Sequence, residues 1–216
     1  EGVLGMMLAA MREFTYHDSA MKRGEWNRRV DRCKTLIGSK VGFIGLGTVG
    51  RDLLDLLLMF DCEAKVYDPY ITADALDRWD FASAATFEEA MSCPVVTVHA
   101  SQTPETFHII NEKALALMPD DGLLINSSRG SLVDINALIN ENDRIRAALD
   151  VYEHEGRGQD ERLLRCENLL LLPHMAAAPA KSQMTHGIID SIELILAGKP
   201  APLEVPFAQY IHMTQE

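Results

Sequence analysis

Three glycines, Gly45, Gly47 and Gly50, stand in the spacing G-x-G-x-x-G. They follow a short apolar run, Val41-Gly42-Phe43-Ile44, and open a stretch carrying Leu53, Leu54, Leu57 and Leu58 at helical spacing. Between a strand and a helix each glycine has a use. Gly45 permits a tight turn, Gly47 lets backbone approach a pyrophosphate, and Gly50 lets helix and strand pack closely. The N-terminus of the helix offers unpaired N–H groups to the phosphates. Asp68 closes the next apolar run, Ala64 to Tyr67. It falls about 20 residues on, where an acid binds the adenosine ribose hydroxyls. Its charge would repel a 2′-phosphate and Pro69-Tyr70 bring no Arg, so the expected cofactor is NAD rather than NADP. A second group able to do chemistry is His174. It follows Pro173 and the apolar run Leu169 to Leu172, and a turn there places an imidazole at the C-terminal edge of a sheet. An imidazole in that position can give or take a proton near neutral pH. His17, His99, His108, His186 and His212 are read as surface or packing residues, and His154, next to a carboxylate, is the competing candidate.

These groups need a scaffold, and the pattern of the chain supplies one. Val3, Met7, Leu8, Met11 and Phe14 recur at helical spacing, so residues 3–23 read as a helix ended by Gly24, and 25–39 as a connecting arm. Strands are expected at 41–44, 64–67, 95–98, 122–126, 145–151 and 169–172. Helices are expected at 49–60, after a Thr86–Glu89 capping box, from Asn111 through Met118, after Asp134, and over 180–197 with Gly198 and Pro200 beyond. Residues 153–167, with Gly156 and Gly158, read as the one long loop. Continuous apolar strands alternating with helices predict an α/β fold: a Rossmann-type doubly wound parallel sheet covered on both faces.

Composition narrows the partners. The 216 residues carry a formal net charge of −12, which disfavours nucleic acid and anionic membrane surfaces, since both call for clustered Lys and Arg. No apolar run reaches the length of a membrane span. Cys33, Cys62, Cys93 and Cys166 are widely spaced, with no C-x-x-C pair. No structural metal and no disulfide framework is expected, and a reducing cytoplasm fits best. The apolar segment Val3 to Met11 has no basic stretch before it, and a chain opening at Glu1 inside a helical pattern reads as part of a longer protein.

Further segments extend the match beyond one motif. They are Gly38 through Pro69, Thr103-Pro104-Glu105-Thr106 with Ile110-Asn111, Asn126-Ser127-Ser128-Arg129-Gly130 with Leu132-Val133-Asp134, Ala148-Leu149-Asp150-Val151-Tyr152, and Leu172-Pro173-His174. In this order they resemble the D-isomer-specific 2-hydroxyacid dehydrogenases over nearly the whole chain. The resemblance implies that Arg129 binds a substrate carboxylate and polarises the keto oxygen, a task suited to a planar guanidinium fork. It implies that His174 is the general acid in reduction and the base in oxidation, and that Glu155, five residues after Asp150, holds it. It implies further that Asp150 binds the nicotinamide carboxamide and that Thr48, Val49, Thr106, Ser127 and Ser128 contact the cofactor. The expected substrate is a small 2-oxo or 2-hydroxy acid, and the expected assembly a homodimer through residues 1–37 with Trp26 as an anchor, although core packing would serve a Trp equally well.

The resemblance also divides the chain: 1–37 as linking helix and arm, 38–180 as the NAD-binding domain, and 181–216 as a helix and tail with Leu203-Glu204-Val205 returning toward a second, substrate domain of which only remnants are present. On this reading the chain alone binds NAD but turns over poorly. Ser101, Pro94 and Gly156 depart from the family pattern, as does Met175-Ala176-Ala177-Ala178-Pro179. The stretch from Asp134 to Asp150 looks about three residues short, near one helical turn, and is expected to move Glu155 and loosen its hold on His174. The alternative is an NAD(H)-binding corepressor-like protein of the same fold. An adenosylhomocysteinase is disfavoured by the arginine–glutamate–histidine set, and a formate dehydrogenase by Glu155 standing where those enzymes have Gln.

Overall fold

A computed structural model describes residues 1–26, 29–156, 160–178, 181–202, 205, 207–211 and 213–214. Gly158, Pro179, Ala180, Leu203, Glu204 and His212, singled out above, lie outside the described residues. Seven strands form one parallel sheet: β1 (Lys40–Ile44), β2 (Glu63–Tyr67), β3 (Ala82–Ala84), β4 (Val95–Val98), β5 (Leu123–Asn126), β6 (Arg146–Leu149) and β7 (Leu169–Leu171). Their order is β3-β2-β1-β4-β5-β6-β7. The winding reverses between β1 and β4, which opens a crevice at the C-terminal ends of those two strands. Ile44 pairs with Val98, Val98 with Asn126, Asn126 with Leu149, and Leu149 with Leu171. The loops after five strands therefore leave the sheet at one edge.

Successive residues of a strand face opposite sides, and each side here has its own core. Phe43 and Ile125 join Val3, Met7, Leu53, Leu54 and Trp79 on one face. Ile44 and Leu124 join Met91, Leu115, Leu138 and Leu149 on the other. The first face is covered by α1 (Gly2–Met11), which α2 (Phe14–Lys22) follows, and by α3 (Thr48–Leu57). The second is covered by α4 (Phe87–Met91), α5 (Glu112–Leu115), α6 (Ile135–Asn140) and α7 (Glu161–Leu164). Two further helices, α8 (Lys181–Leu196) and α9 (Phe207–Tyr210), come after the last strand.

Several boundaries differ from the sequence reading. The single helix expected over 3–23 breaks at Arg12–Glu13, where Glu13 is left-handed (φ 50°) and its carboxylate meets Arg32 at 2.9 Å. The apolar stripe that holds α1 against the sheet ends at Met11, so nothing forces the helix to run on. Leu58, expected on the buried stripe of the next helix, is 56% exposed, because α3 stops at Leu57 and tightens into a 3₁₀ turn. Asn111 does cap its helix, accepting from the Lys113 and Ala114 N–H groups, but that helix ends at Leu115. The Thr86 capping box and the Asp134 cap form as expected. The stretch read as one long loop contains α7, capped by Asp160 and pinned by buried Leu163. Strand β3, three small residues at the sheet's far edge, carries too little pattern to be seen in sequence.

One charge ties the arm to the sheet. Arg146 in β6 is 4% exposed. Its guanidinium donates to the carbonyls of Ala10, Arg32 and Asp121, and its Nε lies 3.1 Å from Asp121 Oδ1, close enough for an ion pair though not aligned as a hydrogen bond. Replacing it removes the donor shared by the Ala10, Arg32 and Asp121 carbonyls. Arg146→Met is expected to lower stability by about 3 kcal/mol, read as an earlier urea midpoint. An unchanged midpoint would show that the clamp contributes nothing.

Candidate active site

Gly45 is left-handed (φ 89°), and a Cβ there would sit 2.6 Å from the Ala100 backbone nitrogen. Only glycine fits that turn. Asp68, at the end of β2, accepts the Leu46 N–H at 2.7 Å on one oxygen and the Tyr70 N–H at 2.8 Å on the other. The acid expected to face a ribose thus also holds the glycine loop in shape, a role the spacing does not reveal. Gly47 is the residue before α3, and the nearest atom to an added Cβ would be the His99 carbonyl at 3.9 Å. That space opens into a cleft of about 1150 Å³ lined by the Gly45–Arg51 loop and helix start, Asp68, Thr106, Ser127, Ser128 and Arg129. A cleft of that size exceeds the roughly 300–1000 Å³ of small-ligand sites and suits a dinucleotide, with the open backbone at Gly47 where a pyrophosphate needs it.

The reason given for Gly50 does not hold. A Cβ there would make ordinary contacts at 3.5 Å, whereas at Gly42 it would sit 1.9 Å from the Ala90 carbonyl oxygen. Close approach of helix to strand is set by α4 over β1, not by the third glycine of the motif. Arg51 also lines the cleft, reaching the Ala75 carbonyl at 3.3 Å. A search for arginines after Asp68 misses it, because it comes from α3.

The opposite wall is built by short polar staples. Thr106 Oγ1 donates to the Ser101 carbonyl at 2.7 Å and accepts the Thr103 N–H at 2.8 Å. Ser128 Oγ donates to the Val98 carbonyl at 2.7 Å. Asn126, buried at the end of β5, donates to the Arg129 carbonyl and accepts the Ser128 N–H. These bonds fix the loop that presents Arg129. Its side chain is exposed, lines the cleft, and donates through Nη1 to the Ser128 carbonyl at 2.8 Å.

His174 and Glu155 meet. His174 Nδ1 lies 2.6 Å from Glu155 Oε2. A carboxylate only accepts, so Nδ1 carries the proton and Nε2 is the free end of the ring. Burial alone would raise the Glu155 carboxyl. Hydrogen bonds from His174 and the Tyr152 N–H, with the charges of His174 and Arg129, outweigh it and hold the group below the usual carboxylate range. The shortened connection before Asp150 does not loosen this pair. Helix α6 is only six residues long, and Arg144 closes the return to β6 by donating to the Leu115 and Met118 carbonyls. His174 is left-handed (φ 53°), a conformation that costs a residue with a Cβ roughly 1–2 kcal/mol. His154, the competing histidine, is exposed.

Asp150 directly follows β6 at the same sheet edge. It is 1% exposed and does not line the cleft among the described residues; both its oxygens accept backbone N–H groups, from Met175 at 2.7 Å and Ala176 at 2.8 Å.

His99, at the cleft floor, packs face to face with Phe43 and shares a 3.0 Å hydrogen bond with Thr97. Burial lowers its pKa from 6.5 to about 4. The unfolded chain therefore binds this proton first. Stability is full above the unfolded value and is lost as pH falls from 6.5 toward 4, by about 3 kcal/mol for this group. Urea unfolding of the native chain should weaken across that window more steeply than that of His99→Phe. Parallel profiles would remove His99 from the account.

Residues 4–176 match the family described as the D-isomer specific 2-hydroxyacid dehydrogenase, NAD binding domain. A D-3-phosphoglycerate dehydrogenase of Methanocaldococcus jannaschii is 33% identical over 93% of this chain and 39% of its own length. A hydroxypyruvate reductase of Thermotoga maritima is 31% identical over 87% of this chain and 62% of its own. Among solved structures, a D-lactate dehydrogenase from Treponema pallidum superposes with a TM-score of 0.79 at 27% identity, covering 95% of this chain and 67% of that one. The chain thus spans less than two thirds of the length of each of these two curated relatives.

Proposed function

Because the chain belongs to the D-isomer specific 2-hydroxyacid dehydrogenases, whose NAD-binding domain it carries, we propose that it serves the NAD-dependent interconversion of a 2-oxo acid and a D-2-hydroxy acid. The observation that carries this reading is the 2.6 Å His174–Glu155 pair held at the same sheet edge as Arg129 and the glycine-loop cleft. The guanidinium of Arg129 takes the substrate carboxylate and polarises the keto oxygen. The free Nε2 of His174 gives that oxygen a proton in reduction and removes it in oxidation. Glu155 holds Nδ1 and favours the charged ring. When bound, NAD supplies the hydride exchange. The walls formed by Gly45, Gly47, Thr48, Val49, Gly50, Asp68, Thr106, Ser127 and Ser128 face it. Asp68 favours NAD over its 2′-phosphorylated form.

Residues 1–37 form the linking arm of this reading, 38–180 the cofactor domain and 181–216 the return toward a substrate domain. The arm supports pairing of two copies: Trp26 is 78% exposed and lines an apolar depression of about 350 Å³ with Phe14, Met21 and Val30. Ordinary core packing does not account for it. Four unpaired thiols suit the cytoplasm. Among the described residues no helix is long and apolar enough to cross a membrane.

The test is binding of NADH to the chain by fluorescence, then loss of NADH absorbance with a panel of 2-oxo acids. Turnover is followed in the chain itself and in a chimera that adds the remaining segments of the M. jannaschii relative. Turnover that disappears in Arg129→Ala is the expected result. NADH binding with no turnover in either form would favour a cofactor-sensing, corepressor-like protein instead.

A further inference from the structure

We infer that Arg51 makes the adenosine end of the cleft an anion subsite, so that the chain also binds the 2′-phosphorylated cofactor, NADPH, more weakly than NADH. The inference rests on the NAD-dependent reading above and extends it to the choice of nucleotide. Arg51 comes one residue after the last glycine of the loop, on α3, and lines the cleft half-buried. Its guanidinium crosses to the segment that follows Asp68, where Nη1 donates to the Ala75 carbonyl at 3.3 Å in the 3₁₀ turn Ala73–Leu76. That puts the cation on the β2 side of the cleft, with Asp68, Tyr70 and Thr72, the side on which an adenosine ribose sits. The acid that a helical arginine would meet one turn on is Asp55, and it is already taken. Both its oxygens accept from Arg78 Nη2, and Oδ1 also accepts from Trp79 Nε1. Asp52 is exposed and, as the adjacent residue, faces another way. Asp74, in the turn itself, accepts a bond from the Thr72 side chain. Among the described residues Arg51 therefore has one neutral acceptor and no ion pair. A guanidinium fork without a carboxylate matches a phosphate. The phosphate that this end of a dinucleotide can carry is the one on the ribose 2′ oxygen. Asp68 acts on the same place with the opposite sign: it keeps NADH the tighter ligand, and Arg51 narrows the margin.

The test is fluorescence titration of the chain with NADH and with NADPH, native and as Arg51→Gln. The native chain should bind both. In Arg51→Gln the ratio of the NADPH to the NADH dissociation constant should rise by about tenfold, the size of one charge-assisted contact to phosphate. Arg51→Lys keeps the charge without the fork and should fall between the two. An unchanged ratio in Arg51→Gln would overturn the inference. If the variants do not fold, the native chain decides by phosphorus NMR. The 2′-phosphate of bound NADP⁺ should lose its proton at lower pH than in the free nucleotide, because a neighbouring cation favours the charged form. Titration as in the free nucleotide would show that no cation meets it. NADH binding with NADPH excluded would remove this inference and leave the NAD reading standing; binding of neither nucleotide would remove both.

Discussion

Gly130→Ala should cost the fold about 4 kcal/mol, beyond the 1–3 kcal/mol of ordinary overpacking. A Cβ at this position would lie 2.0 Å from the Tyr152 carbonyl carbon and 2.3 Å from the Glu153 nitrogen. All the atoms in the way are backbone, so no rotamer change relieves the contact. The neighbours are informative. Gly130 follows Arg129, and Tyr152–Glu153 lead to Glu155, so the substitution forces apart the two loops that carry the proposed substrate anchor and the partner of the imidazole. Denaturant unfolding measures the stability loss, and the His174 ring signals report the pair. A variant as stable as the native chain would mean that the loops can part freely, and that the approach between them is not required.

The second large effect falls on rate. His174→Gln leaves an N–H able to reach Glu155 but no group that can shuttle a proton. In the chimera it should slow turnover by about 10²–10⁴-fold while NADH binding persists, because the ring stands outside the cofactor cleft. Acid should act later than an ordinary carboxylate would suggest. The Glu155 carboxyl is held below its usual range; its pairing is present above the ordinary value and is lost only as pH falls through the lowered one. A variant keeping more than about a tenth of the rate would remove His174 as the proton carrier, since general acid–base catalysis is worth more than that.

The central sheet and the glycine loop were legible because each rests on local pattern: continuous apolar runs, a glycine spacing, and caps at Thr86, Asn111 and Asp134. What escaped was set by partners far apart in sequence. Nothing near Gly42 or Gly130 announces that a carbonyl from α4 or from Tyr152 will lie against it. Asp68 lines the cleft, but nothing in its spacing reveals that its oxygens also accept the Leu46 and Tyr70 N–H groups. The break at Glu13 depends on Arg32, and the three-residue β3 on a neighbouring strand. The segment before Asp150 was expected to disturb the site, yet Glu155 and His174 meet at 2.6 Å. His174 stood out by its place after an apolar run, but Arg129 and Glu155 came from a resemblance; spacing alone could not bring together residues that follow three different strands.

Those three strands do not share equal security. Strand β5 has neighbours on both sides, and so does β6, but β7 is the outermost, three half-buried residues with one partner. Local opening draws on such margins at less cost than global unfolding. The imidazole is therefore attached to an edge of the sheet, which opens more readily than its centre, and the site should come apart and re-form many times within the lifetime of the folded molecule. Amide exchange would show it: the Leu172 amide should exchange well before that of Phe43 in the central β1, and the two exchanging together would mean that the sheet opens as one. Heating would then extinguish proton transfer at temperatures where the sheet still scatters and absorbs as native, so loss of activity and loss of fold would be two separate events.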